Sequence, residues 1–357
     1  MSNYKEYNNK IAFHPGYYLK EIVDDSGLTQ EDFAKRLGTT PKNLSLLLRG
    51  EQDMSIDIAA KVSRMLGTSV ALWLNLQQAY NEKIAEFISE EELAREKEVF
   101  KLIDYRYFRD FFGLPDIPRR VEEQIKAVRE FLSVSSLTVL KEKDLAVSFR
   151  NFSDTMSESG VVNANAMVQI AVNKTLKTDA PKYNKNKFEK AVDFVLTKTK
   201  DTVEFLPIVR EAFKEAGVVL VALPNLKNSG VNGAVKRVDG KVMMMVNDRR
   251  HYEDTFWFTM LHEAGHILNG DYGISCDGDM EDEADDFARN ALIPQEKYEE
   301  FINNKKFGEG DIRLFADSIG RDPGIVLGRL QMDKKIDYTD AYLSSRLRKR
   351  YKVKDIL

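Results

Sequence analysis

The run Phe258-Thr259-Met260-Leu261-His262-Glu263-Ala264-Gly265-His266 constrains this chain more than any other stretch. It reads HExxH. Two histidines four apart share one face only where the backbone is helical, and there both imidazoles reach a single metal ion. Glu263 then stands beside the coordination position that a catalytic site keeps open. A metal-bound water has its pKa lowered toward neutrality, and a carboxylate so placed takes the proton. His262 and His266 therefore read as ligands of zinc, or of manganese, and Glu263 as a general base. The chain holds four histidines and spends two of them here, between uncharged flanks without proline. Chance pairing on an amphipathic helix is the poorer reading.

A catalytic zinc takes three protein ligands, and the third is expected in Glu281-Asp282-Glu283-Ala284-Asp285-Asp286-Phe287-Ala288. Ala284, Phe287, Ala288, Ala291 and Leu292 fall at helical spacing, and Pro294 closes the segment. Glu281 and Glu283 compete for the role, since two residues apart they point to different faces. Glu281 shares the i, i+3, i+4 neighbourhood of Ala284 and Asp285. We take Glu281 as the ligand and Asp285 as the acid that orients a ligand imidazole. Without the HExxH this acidic run would read as a solvated helix face. Cys276, five residues before Glu281, invites a thiolate switch at the metal, although a buried or incidental thiol is the commoner outcome.

HEAGH followed by ExxAxxFAxxxLxP, from Glu281 to Pro294, resembles the ImmA/IrrE family of metallopeptidases, several of which cleave transcriptional repressors. The resemblance covers about residues 200 to 335. It implies that His262, His266 and Glu281 bind the metal and that Glu263 is the base. Segments 217–224 and 242–248 read as strands ahead of the metal helix, which is the order in that family. Asp322-Pro323-Gly324-Ile325-Val326-Leu327-Gly328-Arg329-Leu330-Gln331 is a recurrent C-terminal feature of members fused to DNA-binding domains.

The other end carries different chemistry. From Pro15 to Leu76, apolar residues recur at helical spacing in blocks separated by Gly27, Gly38, Gly50 and Gly67, predicting four or five short helices. Thr29 caps a helix from Gln30 to Leu37, Gly38 turns, and Thr40 with Pro41 opens a helix through Leu48. This is helix-turn-helix spacing, with Phe33, Ala34, Leu37, Leu44 and Leu47 inside. Gln30, Thr39, Thr40, Lys42, Asn43 and Ser45 are left to face base edges and phosphates. The segment resembles XRE-type DNA-binding domains and, through LGTS and WLNLQ over residues 66–77, the HigA antitoxin type. Residues 1–80 hold nine Lys/Arg and nine Asp/Glu, so no basic excess supplies nonspecific affinity, and a homodimer on a palindromic operator is expected.

Between these ends, residues 81–205 are rich in helix formers, with a capping box at Ser89 and Glu92, apolar spacing over 121–131, and a polar loop over 173–187. His14 reads as a helix-start residue, and His251 or Tyr252 as an oxyanion donor. The basic run 346–354 reads as a solvated helix end, with contact to DNA phosphates as the sharper alternative. A single cysteine excludes an internal disulfide. No apolar run reaches membrane-spanning length, and the first residues lack the apolar core of a signal peptide, so a cytoplasmic protein without membrane contact is expected.

The expected fold is mainly α with an α+β C-terminal part. Residues 1–80 form a helix-turn-helix domain, 81–205 a helical connector, 206–300 a zincin-like metallopeptidase domain with a small sheet, and 301–357 a helical extension. Two functions fit. One is a DNA-binding transcriptional regulator whose zinc endopeptidase cleaves a repressor, a toxin partner or itself. The other is a HigA-like antitoxin or repressor with a structural or sensing metal site, a reading that the intact general base at Glu263 weakens.

Overall fold

The computed structural model describes residues 3–142, 157–200, 205–276 and 282–353, with Ser275 and Cys276 described in backbone only. The chain forms two compact units, Met1–Arg95 and Glu96–Leu357. The outcome is the mainly helical class expected, with small sheets.

The first unit opens on a hairpin of β1 (Tyr4–Tyr7) and β2 (Lys10–Phe13). Asn8 and Asn9 turn it with φ of 47° and 61°, the left-handed pair of a tight hairpin turn. Four helices follow: α1 (Pro15–Asp25), α2 (Gln30–Leu37), α3 (Pro41–Leu48) and α4 (Ile56–Leu66). Leu19, Phe33, Leu44, Val62 and Trp73 lie at the centre of their shared core. His14 caps α1, its Nδ1 accepting the Gly16 N–H at 3.0 Å. The long helix α5 (Val70–Phe100) starts in this unit and runs without interruption through Ser89 and Glu92. The capping box expected there does not form. The amides at that point belong to the helix, and Glu92 pairs instead with Arg95 at 3.0 Å.

The second unit adds α6 (Tyr105–Phe112), α7 (Val121–Leu132), α8 (Glu158–Lys177), α9 (Lys185–Leu196) and α10 (Phe205–Glu215). Residues 81–205, expected as a connector, are thus divided between the two units. The loop expected over 173–187 shrinks to the few residues between α8 and α9. A four-stranded sheet follows, of β3 (Val218–Leu223), β4 (Val231–Val238), β5 (Lys241–Asn247) and β6 (Gly273–Cys276) in the order β3-β5-β4-β6. β3 and β5 are parallel and the other pairs antiparallel. Both β3 and β5 are buried along their whole length; because successive side chains alternate, both sheet faces are covered. Helices α8 and α11 (Glu253–Asn269) both pack on the sheet. Then come α12 (Asp282–Leu292), α13 (Gln295–Asn303), α14 (Glu309–Ser318), α15 (Pro323–Met332) and α16 (Ala341–Leu347).

The basic tail is not the solvated helix end expected of it. Beyond α16 the chain runs extended along the start of α11: Lys349 O accepts the Glu253 N–H at 3.0 Å, His251 O accepts the Tyr351 N–H at 3.0 Å, and an Asp248 carboxylate oxygen accepts the Val353 N–H at 2.9 Å. Arg348 donates to both carboxylate oxygens of Asp254, at 3.0 and 2.7 Å, and stands 3.9 Å from the centre of the Tyr252 ring. Lys349 pairs with Asp322, the cap of α15. Arg348 and Lys349 are thus taken up by buried carboxylates, a partnership that spacing along the chain does not reveal.

Glu253 is the weakly compensated member of this set. Burial pushes its carboxyl up to about 7, against the attraction of Lys349. Between roughly pH 4.5 and 7 the unfolded chain has lost a proton that the folded chain keeps, so this group makes stability fall as pH rises through that window. Glu253→Gln should therefore gain on wild type as pH rises and converge with it below about pH 4.5. Urea unfolding of both proteins across that range checks this; a wild-type-minus-variant difference independent of pH would contradict it.

Candidate functional site

Two places bring the sequence-predicted residues together, one in each unit. In the first, Thr29 caps α2 by accepting the Asp32 N–H at 3.1 Å, and Thr40 caps α3 by accepting the Asn43 N–H at 3.2 Å. Gly38 between them takes the left-handed conformation with φ of 70°, ending α2 as a residue without a β-carbon does at no steric penalty. Phe33, Ala34, Leu37, Leu44 and Leu47 are buried, as their spacing requires. Gln30, Thr40, Lys42 and Asn43 are exposed, and Thr39 and Ser45 half-buried. Ser45 is engaged by Arg49, whose guanidinium also pairs with Glu51 at 2.9 Å.

The second place is built on α11. Tyr252 stands at its cap position, Glu253 and Asp254 occupy its first turn, where the helix dipole favours acids, and Gly270 closes it. One turn apart on this helix, His262 and His266 bring their Nε2 atoms to 3.1 Å. Behind each ring stands a carboxylate: Asp285 of α12 is 2.9 Å from His262 Nδ1, and Asp271 is 3.0 Å from His266 Nδ1. A carboxylate beside Nδ1 places the ring proton there and leaves Nε2 as a lone pair.

With the ring protons so placed, the two Nε2 atoms face one another at 3.1 Å as acceptors that one cation would share. The separation is close to the roughly 3.3 Å edge of a tetrahedron with metal–nitrogen bonds of about 2.0–2.1 Å. The residues present thus fit a divalent metal. Glu281, the expected third ligand, lies outside the described residues. Its competitor Glu283 is exposed on α12. Among the described residues no group of three or more His, Cys, Asp or Glu is assembled for a metal. Cys276 likewise has no described side chain.

Glu263 is wholly buried and turns toward the sheet. Gly233 of β4 makes room for it: a β-carbon there would lie 2.4 Å from Glu263 Oε1. The strand irregularity between Val231 and Gly233 falls at the same point. Spacing arguments did not find Gly233 or Asp271. An isolated glycine within a strand pattern marks a close approach, and an acid just after a helix-ending glycine is carried back onto the last turn; both signals were available. His251 is exposed with φ of 56°, and Tyr252 is held under the Arg348 and Arg350 guanidiniums.

A family model described as Helix-turn-helix matches residues 19–73, and one described as IrrE N-terminal-like domain matches residues 213–313. The chain is 34% identical over 74 residues to an uncharacterized HTH-type transcriptional regulator, YddM of Escherichia coli (strain K12), covering 20% of this chain and 79% of that one. It is also 34% identical over 80 residues to virulence-associated protein I of Dichelobacter nodosus, covering 22% of this chain and 74% of that one. Among solved structures, a putative antidote protein of a plasmid maintenance system from Nostoc punctiforme is 31% identical, covering 23% of this chain and 91% of that one with a TM-score of 0.23. These matches and the fold define a helix-turn-helix DNA-binding regulator joined to a metallopeptidase-like domain. The chain belongs to the helix-turn-helix transcriptional regulators and carries an IrrE N-terminal-like domain in its second half. Among the described residues no helix is long and apolar enough to cross a membrane.

Gly233→Ala tests the contact with Glu263. Its β-carbon has no rotamer with which to escape, so the buried carboxylate must shift, and overpacking should lower the unfolding free energy by about 1–3 kcal/mol. Gly310→Ala, where an added β-carbon meets nothing within 4 Å on α14, should be neutral or stabilising. Equal urea midpoints for the two variants would show that β4 does not confine Glu263.

Proposed function

We propose that this protein is an operator-binding transcriptional regulator whose C-terminal domain is a metal-dependent endopeptidase acting on a protein substrate: a repressor, a toxin partner or the chain itself. The supporting observation is the pair of imidazoles with Nε2 atoms 3.1 Å apart, each backed by a carboxylate, with Glu263 buried beside them. In this reading His262, His266 and Glu281 hold zinc or manganese, with Asp285 and Asp271 fixing the ring tautomers. A cation there supplies the Lewis acidity that makes water nucleophilic at neutral pH. Glu263 accepts the proton of the attacking water at a carboxylate oxygen and delivers it to the leaving amine as the peptide C–N bond breaks. A site that served only structure would need its ligands and no base. A HigA-like antitoxin with a silent metal site is therefore the weaker reading.

We place the DNA-binding surface on the exposed start of α3. Lys42 and Asn43 face base edges, Gln30, Thr39 and Thr40 the backbone, and Ser45 acts through Arg49. A homodimer reading a palindrome, in the cytoplasm, completes the proposal. The domains it assigns are helix-turn-helix over 1–80, connector over 81–205, peptidase over 206–300 and extension over 301–357.

Elemental analysis should find about one zinc or manganese per wild-type chain and much less in His262→Ala and Glu281→Ala. Glu263→Gln should keep the metal and operator binding while losing cleavage of the partner. Cleavage that survives in Glu263→Gln would overturn the assigned base. On the DNA side, Asn43→Ala should weaken operator binding by about 1–3 kcal/mol, read by titration at fixed salt, with no comparable loss on unrelated DNA.

A further inference from the structure

A cleft of about 480 Å³ opens beside His262 and Asp285 and continues along α11 toward Thr255 and Tyr252. Its size lies in the range of sites that enclose a small ligand or a large side chain with some of its backbone. Asn232, next to the glycine that accommodates Glu263, lines the same end. The cleft is therefore continuous with the candidate metal site.

Its walls have two sources. Phe258 and Thr259 of α11, Leu292 at the end of α12 and Ile293 just after it come from the part matched by the IrrE-type model. Ile325 and Met332 come from α15, which lies beyond residue 313, where that match ends. Helix α15 is firmly docked: a β-carbon at Gly328 would stand 2.8 Å from Asp254 Oδ2, and its cap Asp322 is paired with Lys349. This wall is as fixed as the metal helix itself.

We infer that this cleft is the pocket that receives a large apolar side chain of the protein substrate, and that α15 of the C-terminal extension sets which side chain fits. The inference rests on the endopeptidase reading. The apolar walls favour leucine, methionine or phenylalanine over a small or polar residue. The arginines along the cleft are paired, Arg348 with Asp254, Arg289 with Asp285 and Asp286, and Arg329 with Asp333. A lysine or arginine side chain would leave water for a cleft whose two lining carboxylates, Asp254 and Asp285, already have arginine partners.

Met332 is 37% exposed at the rim, so Met332→Trp narrows the cleft without disturbing a packed core. The full-length Glu263→Gln protein, which does not hydrolyse in this reading, is titrated with N-acetyl-phenylalaninamide, N-acetyl-leucinamide and N-acetyl-lysinamide, following the Met332 methyl resonance. The two apolar amides should shift it saturably and the lysine amide should bind about tenfold more weakly or worse. In Met332→Trp, ligand-observed NMR should show about tenfold weaker binding of the apolar amides at an unchanged melting temperature. Lysine amide binding as tightly as the apolar ones, no apolar binding at millimolar concentration, or binding untouched by Met332→Trp would each overturn the pocket. Cleavage is read separately in the two proteins that retain Glu263. A wild type that cuts beside large apolar residues and a Met332→Trp protein that shifts to smaller ones support the assignment. Unchanged cleavage preference despite blocked amide binding marks the cleft as an effector site and overturns it. Selective amide binding by a protein that cuts nothing overturns the endopeptidase reading instead.

Discussion

The rotation of α11 about its own axis is the constraint on which the C-terminal unit depends. In one helix of 17 residues, the imidazoles of His262 and His266 must face Asp285 and Asp271 while Glu263, the next residue along, faces Gly233 of β4. Successive residues are about 100° apart, so a helix turned by one position would bring an apolar residue to the side where the two imidazoles meet. Three close contacts hold the angle: Glu263 against Gly233, Gly265 against the Phe287 ring, and Asp254 against Gly328. Each uses a glycine where a side chain would force the helix away. The angle at which these side chains are presented is a property of packing around α11.

Burying this helix concentrates charge. Glu253, Asp254, Glu263 and His266 are all nearly or fully removed from water. An ionised carboxylate in such surroundings is unfavourable unless it is paired. Arg348 compensates Asp254 through two hydrogen bonds, and Lys349 approaches Glu253 less closely while it pairs with Asp322. The first turn of the helix contributes its own exposed amide dipoles. Compensation is thus uneven, which is why Glu253 stays protonated to a higher pH than a surface glutamate.

What could be read from the sequence was what local chemistry dictates. Thr29, Gly38, Thr40 and Pro41 each act on atoms within a few residues, so both helices of the DNA-binding motif were bounded residue for residue. The i, i+4 spacing of His262 and His266 carried the same kind of information, and it required only that the segment be helical. The hairpin at Tyr4–Phe13 was missed because each strand is too short for alternation to register, although the Asn8-Asn9 pair marks its turn. Strand β4 was missed because its irregularity around Asn232 and its half-buried Lys236 and exposed Arg237 break the apolar run. The tail was misread because its cations find partners 27 and 94 residues away, at Asp322 and Asp254.

Those distant partners bear on where the metallopeptidase-like domain ends. The matched region stops at residue 313, yet Arg348 pairs with Asp254 in the first turn of α11, Lys349 pairs with Asp322 at the cap of α15, and α15 itself packs against Asp254. Removing one member of a buried ion pair leaves the other charge uncompensated, a loss of about 3–5 kcal/mol, which is a large share of the stability of an ordinary domain. The extension is therefore part of the same folding unit as the metal helix. Gly328 and Arg348 do both, meeting Asp254 at the start of α11 and lining the cleft beside Ile325 and Met332. A change at either residue therefore acts on the seat of α11 and on the cleft at once.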